Sequence, residues 1–82
     1  GAAVARASAH GRAFGAKAAL AQLDALAGEA QDYQPWHAAQ AHWLSAIGET
    51  EAADAAYDRA VAASADPAVR RFLQTEQARR DA

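Results

Sequence analysis

Apolar and polar positions alternate with helical spacing in five segments, each bounded by glycine, proline or a polar stretch. Ala2 to His10 predicts a short helix stopped by Gly11, with Arg12 to Gly15 as a connection. The clearest stripe lies in Ala16 to Ala27. Ala16, Ala19, Leu20, Leu23, Leu26 and Ala27 recur at steps of three and four, while Lys17, Gln22 and Asp24 fall largely on the other side. Gly28 ends that helix and Glu29 to Gln34 reads as a polar loop. Pro35 suits the first turn of a third helix, running to about Ile47 and stopping at Gly48. Thr50 is the expected cap of a fourth helix reaching about Ser64, with Glu51 and Asp54 near its positive end. Asp66-Pro67 signals a fifth helix to about Arg80, striped by Val69, Phe72 and Leu73. Loops this short make neighbouring helices antiparallel.

A period appears when the chain is set against itself at a shift of 34 residues. Ala19, Leu23 and Leu26 then fall on Ala53, Tyr57 and Ala60. A small residue, a large one four later and a small one three after that is the pattern of a tetratricopeptide second helix. Ala41 takes the small position where the paired helices touch, Leu44 the large position three later, and Gly48 the turn; Pro67 follows the pair. Small residues let two helices approach and large ones fill the space beside the contact. The expected fold is therefore all-α: a single domain over 1–82, with helix pairs at about 2–28 and 35–64 and a capping helix at about 67–80. The first unit fits less well, because Gly11 lies 37 residues before Gly48, so its connection is expected to carry about three extra residues.

Composition supports helices. Apolar residues are 52% of the 82, yet most are alanine, the best helix former. An alanine-dominated core holds together only if backbones come close. A chain of this size buries only about 60% of the surface its unfolded form exposes, so every large side chain counts. The net charge of −2 does not describe a basic nucleic-acid binder. With no cysteine there is no disulfide framework, thiolate metal site or cysteine nucleophile. No apolar run reaches the roughly 20 residues of a membrane span, and a cytoplasmic location is expected. Gly1 opens directly into a helical pattern, as in the C-terminal part of a longer chain.

Four stretches carry a family resemblance. They are Ala19-Leu20-Ala21-Gln22-Leu23-Asp24-Ala25-Leu26; Tyr33 through His37-Ala38-Ala39 and Trp43-Leu44 to Ile47-Gly48; Glu51-Ala52-Ala53 through Tyr57 to Arg59-Ala60-Val61; and Arg70-Arg71-Phe72-Leu73. Together with the opening Ala3-Val4-Ala5 to His10-Gly11, they resemble the tetratricopeptide-like C-terminal extension of extracytoplasmic-function, sigma-24-like RNA polymerase sigma factors. Gln40, His42, Ser45, Ala46 and Val69 depart from that pattern by removing charge. The resemblance implies a domain that docks on the sigma factor's own upstream regions or on the RNA polymerase core in transcription initiation. By the same resemblance, the promoter-binding regions would lie upstream, in the parent chain. Direct nucleic-acid contact by this segment, a membrane partner and a small-molecule substrate are not expected.

Among candidate sites, the first-helix surface of a stacked pair would be Ala38, His42, Ser45 and Ala46, small-sided and weakly charged. A generic adaptor binding a peptide in that groove is the alternative function. Arg70, Arg71, Arg79 and Arg80 hold half of the eight basic side chains and form a candidate patch for an anionic partner. A nucleic-acid contact by this helix is a third reading. Glu49, Glu51, Asp54 and Asp58 make an acidic stripe expected to pair weakly with it. Trp36, Trp43 and Ile47 share a helix face, expected to pack against the second and fourth helices. His37 is expected at the pair interface, bonded to a loop. His37 and His42 lie about 140° apart round a helix, which does not suit chelation, so no metal is expected. No residue set suggests catalysis or a cofactor.

Overall fold

A computed structural model describes the backbone of residues 2–81 and the side chains of residues 2–79. Five helices follow one another: α1 (Ala2–Phe14), α2 (Ala16–Ala25), α3 (Gln34–Ala46), α4 (Thr50–Ala62) and α5 (Pro67–Asp81). The described residues contain no strand. Each helix packs on the next in sequence, and α1 also touches α3. The fold is an all-α stack of two helical hairpins, α1–α2 and α3–α4, with α5 laid on α4.

The turns differ from expectation in the first hairpin. Gly11 does not stop α1, which runs three residues further. The break comes at Gly15, where φ is +106°. Its N–H closes α1 on the Gly11 carbonyl at 2.7 Å, and its own carbonyl takes the Ala19 N–H at 3.2 Å, opening α2. One residue thus ends one helix and begins another, a conformation glycine adopts without a Cβ penalty. The first connection is shorter than the second, not longer, and the two turn glycines are 33 residues apart.

At the second hairpin, Gly48 has φ +80°. The Glu49 N–H reaches the Leu44 carbonyl at 3.0 Å and the Gly48 N–H the Ser45 carbonyl at 3.1 Å. This pair of bonds is the Schellman ending, which satisfies carbonyls the helix leaves open. Thr50 is the first residue of α4, not its cap; Glu49 stands at the cap position without a side-chain bond. Helix α2 ends earlier than expected, at Ala25, and successive turns from Leu26 lead into α3.

The start of α5 agrees with the sequence. The Asp66 Oδ1 accepts the Ala68 N–H at 2.9 Å, and Pro67 occupies the first helical position. Asp66→Ala is expected to cost about 1 kcal/mol, read as a lowered midpoint in urea denaturation.

Two apolar cores flank α3. On one face, Trp36, Ala39 and Trp43 join Ala7, Ala19 and Leu23 of the first hairpin. On the other, Ala38, Ala41 and Leu44 join Ala56, Tyr57 and Ala60 of α4, and Leu73 of α5 closes this core. The tryptophans therefore pack against α1 and α2, not α2 and α4. Ile47 does not extend their face into the core; it caps α3 and is exposed. The Trp36 Nε1–H donates to the Leu23 carbonyl at 2.9 Å, and the Trp43 Nε1–H to the Ser8 Oγ at 3.4 Å.

The 34-residue period persists in burial. Ala7 and Ala41 are fully buried at matching positions, as are Ala19 with Ala53 and Leu23 with Tyr57 within a few per cent. Ala30 and Ser64 continue the series. Leu26 and Ala60 do not match, since Leu26 caps α2 and is half-buried while Ala60 is sealed.

Candidate protein-docking surface

Helix α3 is held on both sides, and this decides what its expected surface residues can do. Ala38 is half-buried against α4 and so belongs to the second core. His42 is exposed, its ring edge-on to Trp43 with centroids 4.7 Å apart. Ser45 is half-buried and Ala46 exposed. The four residues do not form one free groove, because Ala38 is spent on holding the hairpin together.

His37 is 4% exposed and its Nε2 lies 2.7 Å from the Gln31 carbonyl. A carbonyl only accepts, so Nε2 is the donor, and Nδ1 is buried and without a hydrogen-bond partner. This histidine pins the loop between the hairpins, as its expected place at the pair interface implied. No three His, Asp or Glu side chains converge among the described residues.

Helix α5 presents a different face. Leu73 is buried and Val69 half-buried, but Phe72, expected within their stripe, is 62% exposed. A step of one residue turns a side chain by about 100°, which carries Phe72 off the line Val69 and Leu73 share. Arg71, Gln74, Thr75, Ala78 and Arg79 share the open outer face of the helix beside it. Arg79 pairs with Glu76 one turn earlier at 3.4 Å. Arg70 and Arg71 hold no ion pair among the described residues. Both lie within the first five residues of α5, toward the positive end of the helix, where cations are disfavoured. The Arg80 side chain lies outside the described residues.

Among the described residues, no α5 arginine pairs with an α4 carboxylate, and the contact between the two helices is made by an amide. Gln77 Nε2 donates to the Asp58 Oδ1 at 3.1 Å and to the Asp54 carbonyl at 3.4 Å. No family model, curated protein or solved structure matches this chain. Its surface is therefore read from its own chemistry. Three further large apolar side chains stand out at loop ends: Phe14, 73% exposed beside the His10 ring, Tyr33 at the cap of α3, and Ile47 at the turn equivalent to that of Phe14. No helix among the described residues is long and apolar enough to cross a membrane.

Periodicity on α5 does not reveal its exposed aromatic, because Phe72 and Leu73 lie three and four residues after Val69 and both steps fit one helical stripe.

Proposed function

We propose that this domain acts by binding protein, without catalysis, as a regulatory docking module of transcription initiation. It would work as the C-terminal extension of an extracytoplasmic-function sigma factor, contacting that factor's upstream regions or the RNA polymerase core. The observation that carries the docking reading is the state of α5. Trp36, Trp43 and Tyr57 are consumed in the cores, while Phe72 stands in the open directly after Arg70 and Arg71, two arginines placed against the helix dipole. Aromatic and arginine side chains together are the commonest anchors of protein interfaces. The assignment to transcription rests on the stretches from Ala19 to Leu73 that resemble the sigma-factor tail.

A generic peptide-binding groove on α3 is less well supported, since Ala38 is buried in the hairpin contact and Ser45 is half-covered. The test is isothermal titration of this chain against core RNA polymerase, and against the polymerase- and promoter-binding regions of sigma factors of that class from the same organism. Saturable binding to one of them at micromolar concentration is expected. The absence of heat with both, together with unchanged promoter-dependent transcription when the chain is added, would overturn the assignment.

A further inference from the structure

We infer that α1 exchanges between two copies of this chain about Gly15, so that the α1 of each fills the seat in the other while α1 and α2 run on as one helix. The inference goes beyond the docking reading and is independent of it.

The connection between α1 and α2 is one residue long. Its bonds already follow the helical step of four, from the Gly15 N–H to the Gly11 carbonyl and from the Ala19 N–H to the Gly15 carbonyl. Only the Gly15 backbone breaks the helix, at φ +106° and ψ 166°, a region nearly closed to residues other than glycine. The break leaves backbone groups open. The N–H groups of Ala16, Lys17 and Ala18 have no protein acceptor, and Gly15 offers no side-chain cap. The carbonyls of Arg12, Ala13 and Phe14 have no protein donor. A helical Gly15 would join these groups pairwise at the step of four, which the closed hairpin forbids. Short hinges that work against the local preference of the chain favour exchange between copies.

The seat of α1 is lightly held yet selective. Helices α2 to α5 each bury at least one large side chain, whereas α1 seals only Ala7 and Gly11 and half-buries Val4. Little apolar surface therefore opposes its release. Its side-chain bond to α3, between Ser8 and the Trp43 indole, is 3.4 Å long. A Cβ at position 11 would lie 2.5 Å from the Ala19 Cβ and 2.8 Å from the Trp43 ring, so an occupant needs glycine at that point. Helix α1 of a second copy meets this requirement as the chain's own α1 does, and every contact of the seat is kept. Pairing Gly11 with Ala19 across copies puts both Gly15 residues at the crossing of the two long helices. Arg12 and Lys17 of each copy lie within three residues of that crossing, and residues 1–23 carry no carboxylate. Charge thus opposes the dimer, and salt relieves it.

The test is sedimentation equilibrium of the 82-residue chain and two variants, each refolded from urea at about 1 mM so that α1 meets seats in both copies. The unsubstituted chain should dimerise with a Kd on the order of 1 mM. Gly15→Ala should tighten this at least about a thousandfold, roughly thirtyfold for each of the two hinges, because alanine is excluded from the hairpin backbone and favoured within a helix. Raising salt from about 50 to about 300 mM should strengthen the dimer. Gly48→Ala is the control. It strains a turn at φ +80°, but opening that turn would strip Tyr57 and Val61 from their core, so it should lower stability without tightening the dimer. Hydrogen exchange identifies the species: the amides of Ala16, Lys17 and Ala18 should gain at least about a hundredfold protection in the dimer. An unsubstituted chain that stays monomeric at about 1 mM overturns the proposal, and this measurement decides the matter should Gly15→Ala fail to fold. A Gly15→Ala chain that is folded and monomeric at that concentration overturns it too. So does a dimer whose three amides stay unprotected, which would be an ordinary face-to-face pair, and so does Gly48→Ala dimerising as tightly as Gly15→Ala.

Discussion

Trp43→Ala is expected to lower the thermal midpoint by at least about 12 °C, at about 4–8 °C per kcal/mol for a domain of this size. The indole is nine-tenths buried in the core shared by α1, α2 and α3. Truncating a buried tryptophan typically costs about 3–5 kcal/mol through lost contacts and the cavity left behind. A chain of 82 residues has a total stability of only about 4–12 kcal/mol at ordinary values per residue. The neighbouring buried residues, Ala7 and Ala19, are too small to collapse into the gap. Trp43→Phe separates volume from hydrogen bonding. The Nε1–Ser8 Oγ distance of 3.4 Å marks a weak bond, so the phenylalanine should lose less than half of what alanine loses. Denaturation followed by circular dichroism reads both. Equal losses would mean that the bond to Ser8, and not the ring's volume, joins the hairpins.

Gly11→Ala is expected to destabilise the domain although it places the better helix former inside a helix. A Cβ on Gly11 would lie 2.5 Å from the Ala19 Cβ and 2.8 Å from Cζ2 of Trp43. The alanine methyl is fixed to the α2 backbone and cannot rotate aside, and the indole is held in the core. Overpacking of this kind costs about 1–3 kcal/mol, against a gain of about 1 kcal/mol in helix propensity. At contacts this short the cost falls in the upper half of that range, so the clash wins, with an expected net loss of about 1–2 kcal/mol. Gly28→Ala is the control. Nothing lies within 4 Å of its added methyl, and its φ is not positive. That change should be neutral or stabilise by up to about 1 kcal/mol, through a less flexible unfolded chain. Urea midpoints of the two variants moving the same way would show that the close approach of α1 to α2 and α3 at Gly11 does not limit the packing.

These two glycines show where sequence reading stops. A glycine after an alanine run looks the same whether it ends a helix or lets another helix touch it. Gly11 is the second kind, and only the positions of Ala19 and Trp43, brought there by the fold, distinguish it. The same holds for the tryptophans. Their seven-residue spacing placed both on one face of α3, but which hairpin that face meets depends on how the hairpins stack. Phe72 is the clearest case. Hydrophobicity groups it with Val69 and Leu73, and burial separates it from both.

Local chemistry alone determined the five helices, the Asp66 cap, the turn at Gly48 and the 34-residue period, because helix propensity, capping and periodicity act within a few residues of each other. The tertiary structure decided which alanines are sealed, which glycine carries a contact and which face of α5 is left open. Those outcomes depend on the approach of segments distant in the chain, and small side chains, having little volume of their own, take their role from whatever is packed against them.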